Sequence, residues 1–250
     1  MGLRDWLSGS RKGDSDAEHE PSEAPLVAPE GPVPGEREAW RPHPVMSSAY
    51  PPYEGATFAG LVMSWVVIGT EDSSDLEERI SDLIDSGEFA WEFPDEPELS
   101  EDEAREVLEA VIAEHNRLVP HSARDTINLR RAFSRLEADG IAVSFGVGWD
   151  TGEGAEDGYE QAQAMATRRG NAVLGYVYSH TQDIDRLVAT GTLLIGFSDM
   201  SGDMGSGAAR LAERVVDTVR GYDLPVHWSG DPTACIEVGP IRYEQPFPEA

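Results

Sequence analysis

A chain of 250 residues with 40% hydrophobic and 26% charged residues can bury one sizeable core and is too apolar to be disordered throughout. Its formal net charge of −28 repels phosphates, which argues against direct nucleic-acid binding and for a basic partner, divalent cations or a salty interior. The single cysteine, Cys235, excludes an internal disulfide and an all-cysteine metal site.

One cysteine fits a reducing compartment. The opening MGLRDWLSGSRKG has no long apolar core of the kind a secretory leader needs, and Trp6 stands where a myristoylation motif wants Ser or Thr. The longest apolar stretch, Ala59 to Gly69, is too short to cross a bilayer as a helix. The expectation is a soluble cytoplasmic protein away from membranes.

Residues 1–55 read as a disordered tail. Prolines from Pro21 to Pro52 punctuate it, with acidic residues and glycines between them, and that spacing breaks helices and central strands. Met1 to Leu7 reads as a frayed end or a docking peptide.

Residues 56–139 read as a strand-and-helix subdomain. Thr57 to Thr70 (TFAGLVMSWVVIGT) is rich in β-branched and aromatic residues and predicts a strand. Leu76, Ile80, Leu83 and Ile84 predict a helix over about 74–86, stopped by Gly87. Phe89, Trp91 and Phe93 form an aromatic cluster suited to plugging a core, with ligand stacking as the alternative. Ser100 and Glu103 predict a capping box, and Ala104, Val107, Leu108, Val111 and Ile112 a buried stripe behind it. Asp102, Glu106 and Glu109 line that helix's outer face, either simply solvated or a dock for a basic partner. A third helix is expected over about 122–139, capped by Ser122 and Asp125.

Residues 140–239 alternate strands and helices. A strand over 141–149 puts Ile141, Val143, Phe145, Val147 and Trp149 on one face and Ala142, Ser144, Gly146 and Gly148 on the other, a flat face that a helix can approach. An acidic, glycine-rich loop (150–158) and a helix (160–169) follow. Ala172 to Ser179 is a strand with His180, Thr181, Gln182 and Asp183 at its tip, then a short helix over 183–189. Thr192 to Ser198 is apolar on both faces and so central. Ala208, Leu211, Val215, Val219 and Tyr222 make a long helix's stripe. Two short strands, 225–228 and 235–238, flank a turn at Ser229 to Pro232, and residues 240–250 form a short extension.

This order predicts a layered α/β or α+β domain with a mixed sheet of about five strands, preceded by three helices. True crossover helices would make the strands parallel; the 183–189 helix is near the minimum for a crossover, and an antiparallel step there would give an α+β sandwich.

Three pieces resemble a family of uncharacterised bacterial proteins, a domain of unknown function: Leu136 to Ala142, Gly175 to Asp183 (GYVYSHTQD), and Trp228 to Pro232 (WSGDP) with Ile236 to Val238. The resemblance covers roughly residues 75–239. It implies a cysteine-rich segment just after the first strand, where this chain has Ser144, Phe145, Gly146 and Val147. A metal or redox role tied to those cysteines is therefore not expected here. The resemblance carries no activity.

His180 is the sharpest candidate residue, with Asp183 three positions on. A histidine beside a carboxylate can act as general base or metal ligand; the competing reading has either residue capping the next helix. If the strands are parallel, Asp150, His180, Asp183, Asp199, Asp203 and Asp231 project from one sheet edge, where open α/β folds bind ligands. Oxygen ligands with one imidazole suit Mg²⁺, Mn²⁺ or Ca²⁺; the competing reading is that these are loop and cap aspartates. No other cofactor is expected. The glycines at 202, 205 and 207 lack the lysine of a phosphate loop, Cys235 reads as a packed strand residue, and Ser179 and Ser198 lack a nucleophile elbow. Two functions follow: a non-catalytic domain binding a basic protein, or an enzyme or ligand-binding domain, with a small ligand or a divalent metal, centred on His180, Asp183 and Asp231.

Overall fold

A computed structural model describes residues 57–169, 173–201 and 205–248; the expected tail and Asp203 lie outside them. The described residues hold eight helices and five strands. None of these helices is long and apolar enough to cross a membrane. The chain divides into two compact units, one of residues 57–66, 71–115 and 247–248, the other of residues 67–70 and 116–246, counted over the described residues.

The segment expected as a strand at 57–70 is instead helix α1 (Phe58–Ile68). Thr57 starts it, its Oγ1 accepting the Gly60 backbone N–H at 3.0 Å, and Gly69 at φ 62° follows its end. Eleven residues are long for a strand, and Phe58, Leu61, Val62, Trp65 and Val66 are all buried. A helix apolar on every side persists only when wrapped by other structure.

In the first unit, Asp72 caps α2 (Ser73–Asp85) by accepting the backbone N–H groups of Ser74 and Asp75. Leu76, Ile80 and Leu83 form its buried stripe. The short α3 (Glu88–Glu92) brings the rings of Phe89 and Phe93 to 5.3 Å, with Phe58 5.3 and 6.0 Å from them. Phe89 and Phe93 thus plug the core as expected, whereas Trp91, expected with them, is exposed. Helix α4 (Glu101–Leu118) begins at the predicted box: Glu103 Oε2 accepts the Ser100 N–H at 2.9 Å, and the Glu103 N–H donates to Ser100 Oγ at 3.4 Å.

The second unit opens with α5 (Arg124–Ala138), which lacks the expected box between Ser122 and Asp125. Asp125 Oδ2 instead accepts the Arg242 N–H at 3.0 Å. Thr126 Oγ1 accepts the Glu244 N–H and donates to the Arg242 carbonyl. The C-terminal extension is therefore a strap across the start of α5. Its side chains alternate as in a strand, with Ile241, Tyr243 and Gln245 buried. Tyr243 Oη donates to the Ile68 carbonyl at 3.0 Å.

Then come β1 (Ile141–Phe145), α6 (Thr151–Arg169), β2 (Gly175–Ser179), α7 (Thr181–Thr190), β3 (Leu193–Asp199), α8 (Ser206–Gly221), β4 (Val226–His227) and β5 (Ile236–Val238). The loop expected at 150–158 is helical, so α6 starts nine residues earlier than its predicted 160. The sheet order is β1-β2-β3-β5-β4. β1 and β2 are parallel, whereas β3 runs antiparallel to both β2 and β5. Of the two architectures left open, this is the α+β one. The ten residues of α7 reverse the chain rather than carry it across the sheet.

One face of the sheet (Ile141, Val177, Ile195, Phe197, Ile236) packs on α5, α7 and α8 through Leu129, Leu136, Ile184, Leu187, Leu211 and Val215. The other face carries α6: Ala142 and Tyr176 meet Ala162 and Met165. The flat side of β1 does receive a helix, and Ser144 Oγ donates to Asp157 on α6.

Candidate functional site

The parallel pair β1–β2 ends at one edge, with Phe145 opposite Ser179. Two loops leave that edge and bond to each other: the Gly146 N–H donates to the Ser179 carbonyl, and the Thr181 N–H and Oγ1 both donate to the Gly148 carbonyl. Each loop then opens a helix. Asp150 caps α6, its Oδ1 accepting the N–H groups of Gly152 and Glu153, and Glu153 accepts the Trp149 N–H in return. His180 holds the corresponding position for α7.

His180 is 8% and Asp183 7% exposed, so this is a nearly closed pair. His180 Nε2 stands 3.2 Å from Asp183 Oδ2, and the same oxygen accepts the His180 backbone N–H at 3.2 Å. His180 Nδ1 is buried with no hydrogen-bond partner in the described structure. Gly154, in the first turn of α6, lies over the pair: a Cβ there would stand 3.2 Å from the His180 Cβ and 3.0 Å from the Tyr178 ring. Burial pushes the Asp183 carboxyl above the ordinary range, opposed by His180 and then Arg186.

Tyr178 extends the cluster across the sheet. It pairs with Gly196, and continuing the β3–β5 register one residue past Ile195 and Ile236 sets Cys235 opposite Gly196. Burial is the main cause that lifts the Tyr178 hydroxyl to about 12; Cys235, Tyr176 and Asp183 add to it. Cys235 lies just before β5 and is exposed, not packed within a strand as expected. The protein around its sulfur still pushes the thiol up, and the Asp183 charge pushes it further. Neither group is poised as a nucleophile or base near neutral pH.

Asp199 and Asp231 lie apart from this edge. Because β3 is antiparallel, Asp199 ends up opposite Gly175, at the start of β2, and its Oδ1 accepts the Ser201 N–H. Asp231 sits in the β4–β5 turn, bonded to the N–H and hydroxyl of Thr233. Asp150 is at the His180 edge but is engaged as a cap. No three His, Cys, Asp or Glu side chains among the described residues come together in a way that could hold a metal ion.

The pattern match that bears on this edge covers residues 54–246 and is to a domain of unknown function, DUF6891. The chain belongs to the DUF6891 family. The family's span takes in β1 to β5, the His180 edge and the strap residues Ile241 to Gln245, so all of these lie within the shared domain. No curated protein and no solved structure matches the chain.

Little in the sequence marks Tyr178, Gly154, Gly196 and Cys235 as a group. Their one signal is Gly154 and Gly158 four apart, which leaves a bare strip along α6 for the Tyr178 and Tyr176 rings.

Proposed function

We propose that this chain is a non-catalytic, cytoplasmic protein-binding domain whose acidic helical unit docks a basic partner. The observation that carries the reading is where the charge sits. Residues 71–115 hold 18 Asp and Glu against two Arg, a net −16 of the chain's −28. Both arginines are already engaged: Arg79 reaches Glu71 at 2.5 Å and lies over the Trp65 ring, and Arg105 pairs with Asp102 at 2.9 Å and Glu77 at 3.4 Å. Glu77, Glu78, Asp82 and Asp85 on α2, and Glu101, Asp102, Glu106 and Glu109 on α4, are exposed. Such a surface raises the local concentration of a cationic partner and speeds its association.

The His180–Asp183 pair is better read as a strand-to-helix clamp than as a catalytic dyad. One carboxylate oxygen serves both the ring and the backbone of His180, and Asp231, its proposed third member, is bonded elsewhere.

The test is a pull-down from the native host at low salt, comparing the wild type with a Glu106→Arg, Glu109→Arg variant. The reading expects basic proteins retained by the wild type and lost by the variant. An empty pull-down, or partners indifferent to the charge reversal, would remove it.

A further inference from the structure

The second unit carries a patch of the opposite sign. Helix α5 holds Arg124, Arg130, Arg131 and Arg135 against Asp125 and Glu137. Arg135 is held by Asp139 at 3.0 Å. Arg124 pairs with Asp223 at 3.2 Å, but the two side chains are 78% and 79% exposed, so the pair is weak and easily exchanged. Arg131 is exposed and ion-paired to no described residue. Arg124, Ile127, Asn128 and Arg131 recur at helical spacing and share one face of α5. Ile127 lies between the two arginines and is 38% exposed, one of the few large apolar side chains left in solvent. Across from it Tyr222 and Asp223 turn away from the end of α8, and together these residues line a groove of about 540 Å³.

We infer that this groove docks an acidic peptide segment of a partner protein, with carboxylates on Arg124 and Arg131 and an apolar side chain on Ile127. The guanidinium fork matches a carboxylate, and Ile127 offers apolar contact midway. Seven residues of helix separate the arginines by about 10 Å, the span of three residues in an extended peptide at roughly 3.3 Å each. The chain's overall negative field does not forbid this. Screening over about 8 Å at physiological salt leaves the nearest charges to set the sign above the groove. The patch differs in place and sign from the acidic surface of α2 and α4, so either assignment can fail without the other.

The experiment uses the full chain and a fluorescein-labelled Gly-Asp-Leu-Ser-Glu-Gly peptide, followed by anisotropy at low salt. Saturable binding is expected, weakened about tenfold or more by Arg124→Glu and by Arg131→Glu separately. Ile127→Ser weakens it as well, while Arg214→Glu, on an exposed face of α8, leaves it unchanged. Because all four positions are exposed, melting temperatures stay close to wild type and report that each variant is folded. No saturable binding, or binding indifferent to both Arg124→Glu and Arg131→Glu, overturns the inference. Concentration-dependent self-association abolished by those same variants would assign the groove to a second copy of this chain and equally overturn it.

Discussion

The Tyr178 ring crosses Gly196 so closely that a methyl group there would stand 2.3 Å from its Cζ and 2.7 Å from both Cε atoms. Gly196 is therefore a slot for a neighbouring strand's side chain, and the tyrosine fills the row that leads to Cys235. Gly196→Ala should destabilise the second unit by about 1–3 kcal/mol, the usual range for overpacking. In a Tyr178→Ala background most of that penalty should vanish, because nothing remains to be displaced. Urea unfolding of both single variants and the double variant reads the coupling.

Asp183 is predicted to act on its surroundings through charge as well as hydrogen bonding. Asp183→Asn keeps an acceptor for the His180 N–H but removes the negative charge that lifts the Cys235 thiol. The thiol should then ionise more readily, and its alkylation by iodoacetamide at mildly alkaline pH should quicken. Asp183→Ala also leaves the buried His180 N–H without its acceptor and should lose about 1–3 kcal/mol of stability.

Asp185 gives the fold a pH dependence of definite sign. Burial alone raises its carboxyl to about 6, with no compensating partner. A carboxyl raised on folding holds more protons in the native state than in the unfolded one. Its contribution is therefore fully present below the unfolded value, about 4, and is lost as pH rises through about 6. Asp185 keeps partial contact with solvent, so the loss between pH 5 and pH 8 is discounted to about 1 kcal/mol or less. Asp185→Asn should melt higher than wild type at pH 8, and the gap should narrow towards pH 5 and close below about pH 4.

The strap offers the plainest stability test. Thr126→Val removes a hydroxyl that accepts the Glu244 N–H and donates to the Arg242 carbonyl, and should cost about 1–3 kcal/mol. Tyr243→Phe frees the Ile68 carbonyl from a buried bond and should cost about 1 kcal/mol. Both are read by thermal or urea unfolding.

How far these features can be seen in the sequence depends on how local their causes are. The α4 box, the α8 stripe and the flat face of β1 rest on residues within one element, and periodicity reveals them. Helix α1 looks like a strand in the sequence because Val66, Val67 and Ile68 favour strands by propensity, while burial on all sides makes any period invisible. Its length and the Thr57 cap were the better guides. The direction of β3 turned on the short α7, and that one reversal separates Asp199 from His180. The strap was beyond local reading altogether, since Asp125 and Thr126 find their partners more than a hundred residues away.

The central claim is that the acidic helices of the first unit, and not net charge alone, receive a basic partner. The most direct measurement is the affinity of a labelled arginine-rich peptide for three proteins of matched purity at one low salt concentration: wild type, Glu106→Arg with Glu109→Arg on α4, and Glu156→Arg with Glu160→Arg on α6. All four glutamates are exposed, and the two double variants change the net charge equally. The account predicts a loss of about tenfold or more for the α4 variant and a much smaller loss for the α6 variant. Equal losses in the two would show that the peptide responds only to total charge, and would contradict it.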